Sequence, residues 1–153
     1  MTATLATGVR VRRAALDDLD WLVQELKAFS EFIQTVHQVY DPEYALAGMR
    51  MMCGQHLVLI AEQDGERLGF IAGLVGAHPF NPKLRFLTEV FWWVSAQHRR
   101  SRAGLLLLNA FIEEGRRSAD LIVMSLETNS GVREETLTRR GFRLKERGYL
   151  MEV

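Results

Sequence analysis

Residues 94–108, VSAQHRRSRAGLLLL, join an apolar strand to an amphipathic helix through a polar turn carrying three arginines, and no other stretch narrows the fold as much. Residues 86–94 are rich in Phe, Trp and Val, which suit a pleated sheet. Leu105, Leu108, Phe111 and Ile112 recur at helical spacing and aim the next element at a core. The first amides of that helix lack intrahelical acceptors and lie at the positive end of its dipole. Arg99, Arg100 and Arg102 add forked donors matched to phosphate oxygens. A pyrophosphate is the anion such a turn suits best. The competing reading is a solvated surface turn within ordinary α/β architecture.

Around this unit the chain reads β-α-α-β-β-β-α-β-α-β. Residues 9–13 alternate as a half-exposed strand does, and Asp17 and Asp18 stand where a helix start favours acids. Leu19, Leu22, Val23, Leu26, Phe29 and Ile33 keep helical period. Asp41-Pro42 opens a second helix that Gly54 stops. Residues 57–63 and 68–75 flank Asp64-Gly65 and predict an antiparallel hairpin, in which Gly69, Gly73 and Gly76 weaken pairing or mark close backbone approach. Two prolines predict a loop at 78–82. After a helix ending near Ala119 come a strand at 121–126, a turn at 128–131, a helix at 132–140 stopped by Gly141, and an extended segment at 142–153 that bends near Gly148.

A length of 153 residues suits one domain, residues 9–153, behind a disordered segment at 1–8 that lacks the pattern of a secretory signal. No apolar run matches a bilayer, so the expectation is a cytoplasmic protein without membrane contact. Nineteen basic and nineteen acidic residues cancel, leaving no global field to draw the chain onto nucleic acid. Cys53, alone, excludes an intrachain disulfide and reads as a small buried hydrophobe. His37, His56, His78 and His98 show no short metal-binding spacing, and no metal is expected.

This order of elements resembles the GCN5-related N-acetyltransferase (GNAT) family, whose turn pattern is Arg or Gln, two residues, Gly, one residue, then Gly or Ala. Arg99-Arg100-Ser101-Arg102-Ala103-Gly104 fits its first and last positions, while Arg102 stands where the glycine that admits close backbone approach is usual. Asn129 and Arg140-Gly141-Phe142 are similar to the family's closing motif. The resemblance covers residues 9–153 and implies an α/β acyl-CoA N-acyltransferase fold, with a central, mostly antiparallel sheet flanked by four helices. It further implies an acetyl-CoA dependent enzyme that acetylates a primary amine of a small molecule or protein; homodimers occur in the family. By the same resemblance the backbone of Trp92, Trp93 and Val94 lines the pantetheine arm and acetyl group. The amides of Arg99, Arg100, Ser101, Arg102, Ala103 and Gly104 hold the pyrophosphate. Asn129 bonds the cofactor arm or orders a water, or is simply a turn former.

Glu89 is the one carboxylate within residues 86–94, and flanking aromatic rings favour its neutral form, as a general base requires. Strict alternation groups it with Phe91 and Trp93, opposite Val90, Trp92 and Val94, so it reaches the acetyl group only if the strand bulges; otherwise it is a surface or ion-paired glutamate. Glu127 is the reserve base. A backbone N–H near Val94 is the candidate oxyanion donor. Leu137 occupies the position of the family's usual proton-donating tyrosine, leaving Tyr149, or water, to protonate the thiolate; a tyrosine packed in the last strand is the plainer reading. Residues 29–44 and 78–85 would shape the acceptor site, with Phe32, His37, Tyr40 and Tyr44 forming an aromatic wall or packing between helices. The departures at Leu137 and Arg102 keep a noncatalytic coenzyme A binding or assembly module as the alternative. Nucleic-acid binding through the arginine turn is disfavoured by the zero net charge.

Overall fold

The computed structural model describes residues 8–33 and 40–153, so the segment expected to be disordered at 1–8, apart from Gly8, and His37 lie outside the described residues. Strands β1 (Arg10–Arg13), β2 (Leu57–Gln63), β3 (Glu66–His78), β4 (Asn81–Val94) and β5 (Leu121–Val123) form one sheet in that order. The first four are mutually antiparallel, and β5 runs parallel to β4. Helices α1 (Leu19–Ile33) and α2 (Pro42–Gln55) cover one face, where Leu22, Leu26, Met49, Ile60 and Phe70 form a core. Helix α3 (Ala103–Ser118) covers the other, burying Leu107 and Phe111 against Leu59, Ile71 and Leu87. Helix α4 (Glu134–Thr138) follows β5.

Local signals act where they were read. The Asp41 carboxylate accepts the Tyr44 amide at 3.0 Å and Pro42 occupies the first turn of α2. Asp64 and Gly65, at φ 51° and 82°, turn β2 into β3. Gly73 is a close approach: a Cβ there would stand 2.7 Å from the Phe111 ring.

Four expectations are corrected. The loop at 78–82 contracts to Pro79-Phe80, because β3 continues to His78 and β4 begins at Asn81. The register jumps from Ala77↔Arg85 to His78↔Asn81, which leaves residues 82–84 unpaired across the hairpin, so Pro82 removes no ladder bond. The fifth strand ends at Val123 and not at residue 126, and the last helix is trimmed to Glu134–Thr138. Residues 142–153 form no strand; Leu144, Tyr149, Leu150 and Met151 are exposed. Neither set of alternate residues in FRLKERGYLMEV is continuously apolar, so no register buries one face.

Asp18 sits in a short 3-10 turn ahead of α1, only 1% exposed. It accepts two bonds from Arg12 at 2.7 and 3.0 Å, one from Arg67 at 2.7 Å and one from the Ala15 amide at 2.8 Å. Arg12 also pairs with Glu62, which Arg10 contacts from the other side. The Arg12 bonds above all hold the Asp18 carboxyl well below the usual carboxylate range, against the cost of burial.

Candidate active site

Strand β4 divides its side chains between the two cores: Trp93 lies on the α1/α2 side, Trp92 and Val94 on the α3 side. Strict alternation fails midway. Glu89 pairs with Gly73 and Phe91 with Ala72, so Val90 is an extra residue without a partner on β3. The bulge reverses the alternation and places Glu89 on the same face as Leu87, Trp92 and Val94. The β4–β5 ladder stops here too, at Thr88↔Val123. Beyond it the Ser125 amide donates to the Glu89 side chain at 3.2 Å. Glu89 thus stands where the two strands part. Burial, with a smaller contribution from the Glu127 charge, pushes its pKa up to about 7 despite the Ser125 bond.

The arginine turn is built from successive hydrogen bonds. Ser95 donates its amide to Leu68 O, and its own carbonyl accepts the His98 amide; Ser101 N bonds His98 O, and Ala103 N bonds Ser101 Oγ. The first helical bond of α3 runs from Leu106 N to Arg102 O, so among the described residues the amides of Gly104 and Leu105 have no protein acceptor. Arg99, Arg100 and Arg102 are exposed, and none pairs with a carboxylate among the described residues. The Ser101 and Ala103 amides, expected to hold the pyrophosphate, are instead spent within the turn; the open amides beside the uncompensated guanidinium groups are those of Gly104 and Leu105, and these fit a diphosphate. The Arg99 side chain is not splayed: its Cζ lies 4.6 Å from the ring centroids of both Phe32 and Trp93, and its Nε donates to Val94 O at 3.4 Å. Trp92 Nε1 donates to Gly104 O at 3.2 Å, tying β4 to the start of α3.

Asn129 Nδ2 donates to Phe32 O at 2.9 Å, which joins the turn after β5 to α1. Phe32 therefore meets Arg99, Trp93 and Asn129 and is no mere inter-helix filler. Tyr40 packs instead, its hydroxyl bonded to Val23 O, and Tyr44 is 80% exposed and belongs to no wall. Tyr149, expected to be packed, is 92% exposed because its segment joins no sheet. Cys53 is half-buried against the α1/α2 core, and burial raises its thiol pKa.

Sequence reading missed several groups. Glu25 accepts Trp93 Nε1 at 2.7 Å and Ser95 Oγ at 2.8 Å. Its signal was available: at the spacing 22-25-29 it interrupts the apolar stripe of α1. Ser125 acts through its backbone and left no trace. A groove of about 510 Å³ between α3 and α4, lined by Leu105, Arg133, Glu135, Thr136, Arg139 and Arg140, depends on packing that no local motif encodes. No helix among the described residues is long and apolar enough to cross a membrane.

Solved structures share this architecture. A predicted acetyltransferase from Clostridium acetobutylicum, determined with acetyl-CoA, superposes with a TM-score of 0.76 at 13% identity, covering 95% of this chain and 96% of that one. A ribosomal-protein-alanine N-acetyltransferase from Brucella melitensis biovar Abortus 2308 gives 0.72 at 15% identity over 95% and 99%. An aminoglycoside acetyltransferase from an uncultured soil metagenomic sample, in complex with sisomicin, gives 0.68 at 13% identity over 95% and 95%. No curated protein sequence matches the chain. The family model described as Acetyltransferase (GNAT) family matches residues 21–142, well over half of the chain, and the chain belongs to that family of transferases.

Proposed function

We propose that the protein is an acetyl-CoA dependent N-acetyltransferase that acetylates a primary amine on a small molecule or protein. The observation that carries this reading is Glu89, half-buried at the parting of β4 and β5 with its pKa pushed up to about 7. A carboxylate so tuned accepts a proton from an incoming ammonium group at ordinary pH and leaves a neutral nucleophile. The backbone of Trp92, Trp93 and Val94 lines the acyl-bearing arm. A backbone amide along that stretch stabilises the oxyanion, a contribution of about 3 kcal/mol for one well-placed donor. The turn from Arg99 through Arg100, Ser101, Arg102 and Ala103 to Gly104 holds the diphosphate, supported by the open amides of Gly104 and Leu105. The groove between α3 and α4 takes the nucleotide end, where Arg133 and Arg139 face it. Asn129 orients the cofactor arm from the turn it ties to Phe32. Water protonates the departing thiolate, since Leu137 cannot and Tyr149 faces solvent. The proposed enzyme is a single domain over residues 9–153 that works in the cytoplasm without metal.

Calorimetry with coenzyme A, followed by thiol release from acetyl-CoA with amino acids, peptide N-termini and sisomicin as acceptors, tests the reading. Binding together with acceptor-dependent thiol release supports it. If wild-type protein binds no coenzyme A and the Arg99→Glu/Arg102→Glu pair changes nothing, the reading fails. Binding without release on any acceptor selects the noncatalytic module, which Leu137 in place of tyrosine favours.

A further inference from the structure

We infer that Glu25, on α1, is a positioning residue that sets the geometry of the arginine turn and with it the affinity for the acyl carrier. The inference rests on the proposed function and adds to it a residue outside the turn. The Glu25 carboxylate accepts from Trp93 Nε1 and from Ser95 Oγ through one oxygen, Oε2. Both donors are buried, Trp93 at 6% and Ser95 at 2% exposure, so neither can exchange this acceptor for bulk water without disturbing its surroundings.

Two routes lead from this carboxylate to the turn. Along the backbone, Ser95 is the residue from which the turn springs: its carbonyl holds His98, His98 holds Ser101, and the Ser101 hydroxyl holds Ala103, the first residue of α3. Through side chains, the Trp93 ring that Glu25 fixes forms one of the two aromatic faces carrying Arg99. An anion bonded to the indole N–H makes that ring a better partner for a cation, so Glu25 acts on Arg99 through the ring without touching it. Displacing Glu25 therefore shifts the amides of Gly104 and Leu105 and loosens Arg99 together. Neither route reaches Glu89, whose surroundings are Ser125, Glu127 and the bulge.

The consequence is a split in the kinetics. Glu25→Ala raises the coenzyme A dissociation constant and the KM for acetyl-CoA about tenfold, a larger change than in kcat, and leaves the pH midpoint of kcat at its wild-type value, because binding geometry is lost and the base is not. Glu25→Gln, which keeps an oxygen acceptor, stays within about threefold. Ser95→Ala has an intermediate effect, and the Glu25→Ala/Ser95→Ala pair falls well short of the product of the single effects, as groups in one network do.

Calorimetric titration with coenzyme A, steady-state kinetics and thermal melting of the four variants decide the matter. The pattern above supports the inference. A coenzyme A affinity in Glu25→Ala and Ser95→Ala equal to wild type, with only the melting temperature lowered, overturns it as a plain structural contact. If Glu25→Ala does not fold, the comparison of Glu25→Gln and Ser95→Ala with wild type gives the answer, with unchanged affinity in both overturning it. Wild-type protein that binds no coenzyme A overturns both this inference and the proposed function, whereas wild-type binding with indifferent Glu25 variants overturns this inference alone.

Discussion

Asp18 is buried and Glu89 partly so, and their pKa values are displaced in opposite directions. Around Asp18 the chain gathers two arginines and a backbone amide, so four hydrogen bonds meet a single carboxylate and keep it charged. Around Glu89 there is one amide, a second carboxylate at Glu127 and no cation among the groups that shift it. Asp18 is fully buried and compensated; Glu89 is half-buried and is not. The first arrangement fastens β1 to the start of α1 and to β3. The second keeps a proton exchangeable near neutral pH, a poor way to hold a fold together and a good way to run acid–base chemistry.

The sharpest way to break this contrast is to remove each group. Asp18→Ala leaves Arg12 and Arg67 half-buried without their shared partner and costs about 3 kcal/mol, read from the denaturant midpoint. A loss below about 1 kcal/mol would make the cluster decorative. Glu89→Gln takes the opposite course: kcat/KM drops about 100-fold while the melting temperature holds or rises, since a buried charge has been exchanged for a neutral amide. Activity retained in that variant would pass the role of base to Glu127.

A pH series sharpens the contrast further. Asp18 has a depressed folded pKa, so its contribution is complete above the ordinary carboxyl range and disappears as the medium becomes more acid. Glu89 has a raised one: its contribution is complete below its ordinary value of 4.5 and is lost as pH climbs through about 7. Between pH 5 and pH 8 the wild type should thus lose on the order of 2 kcal/mol through this group, and Glu89→Gln should flatten that slope in urea unfolding. Asp41 supplies the smallest effect. Like Glu89 it accepts one backbone amide, but in water, and Asp41→Ala should cost about 1 kcal/mol of stability in thermal or chemical unfolding.

What could be read in advance follows the range of each interaction. The α1 stripe, the Asp41-Pro42 start and the Asp64-Gly65 turn depend on residues within a few positions of one another and were legible. The strand, turn and helix at residues 86–118 were legible too, as was the acidic residue in β4. The face on which Glu89 lies was not, because a bulge is a property of two strands, and only the pairing of Gly73 and Ala72 with Glu89 and Phe91 reveals the extra Val90. In the sequence Asp18 is a helix-start acid and nothing more, because its partners Arg12 and Arg67 come from two different strands. The extended reading of residues 142–153 failed for a related reason: backbone preference alone creates no strand where alternate positions mix Leu144 with Glu146 and Tyr149 with Arg147.

The bond from the Ser125 amide to Glu89 makes a proton acceptor double as a strut. A charged oxygen grips that amide more firmly than a neutral one, so every protonation of Glu89 slackens the link between the sheet and the segment leading to Glu127 and Asn129. Under the proposed function, the arrival of the substrate's proton would ease the grip on the segment after β5, and its departure would tighten it again.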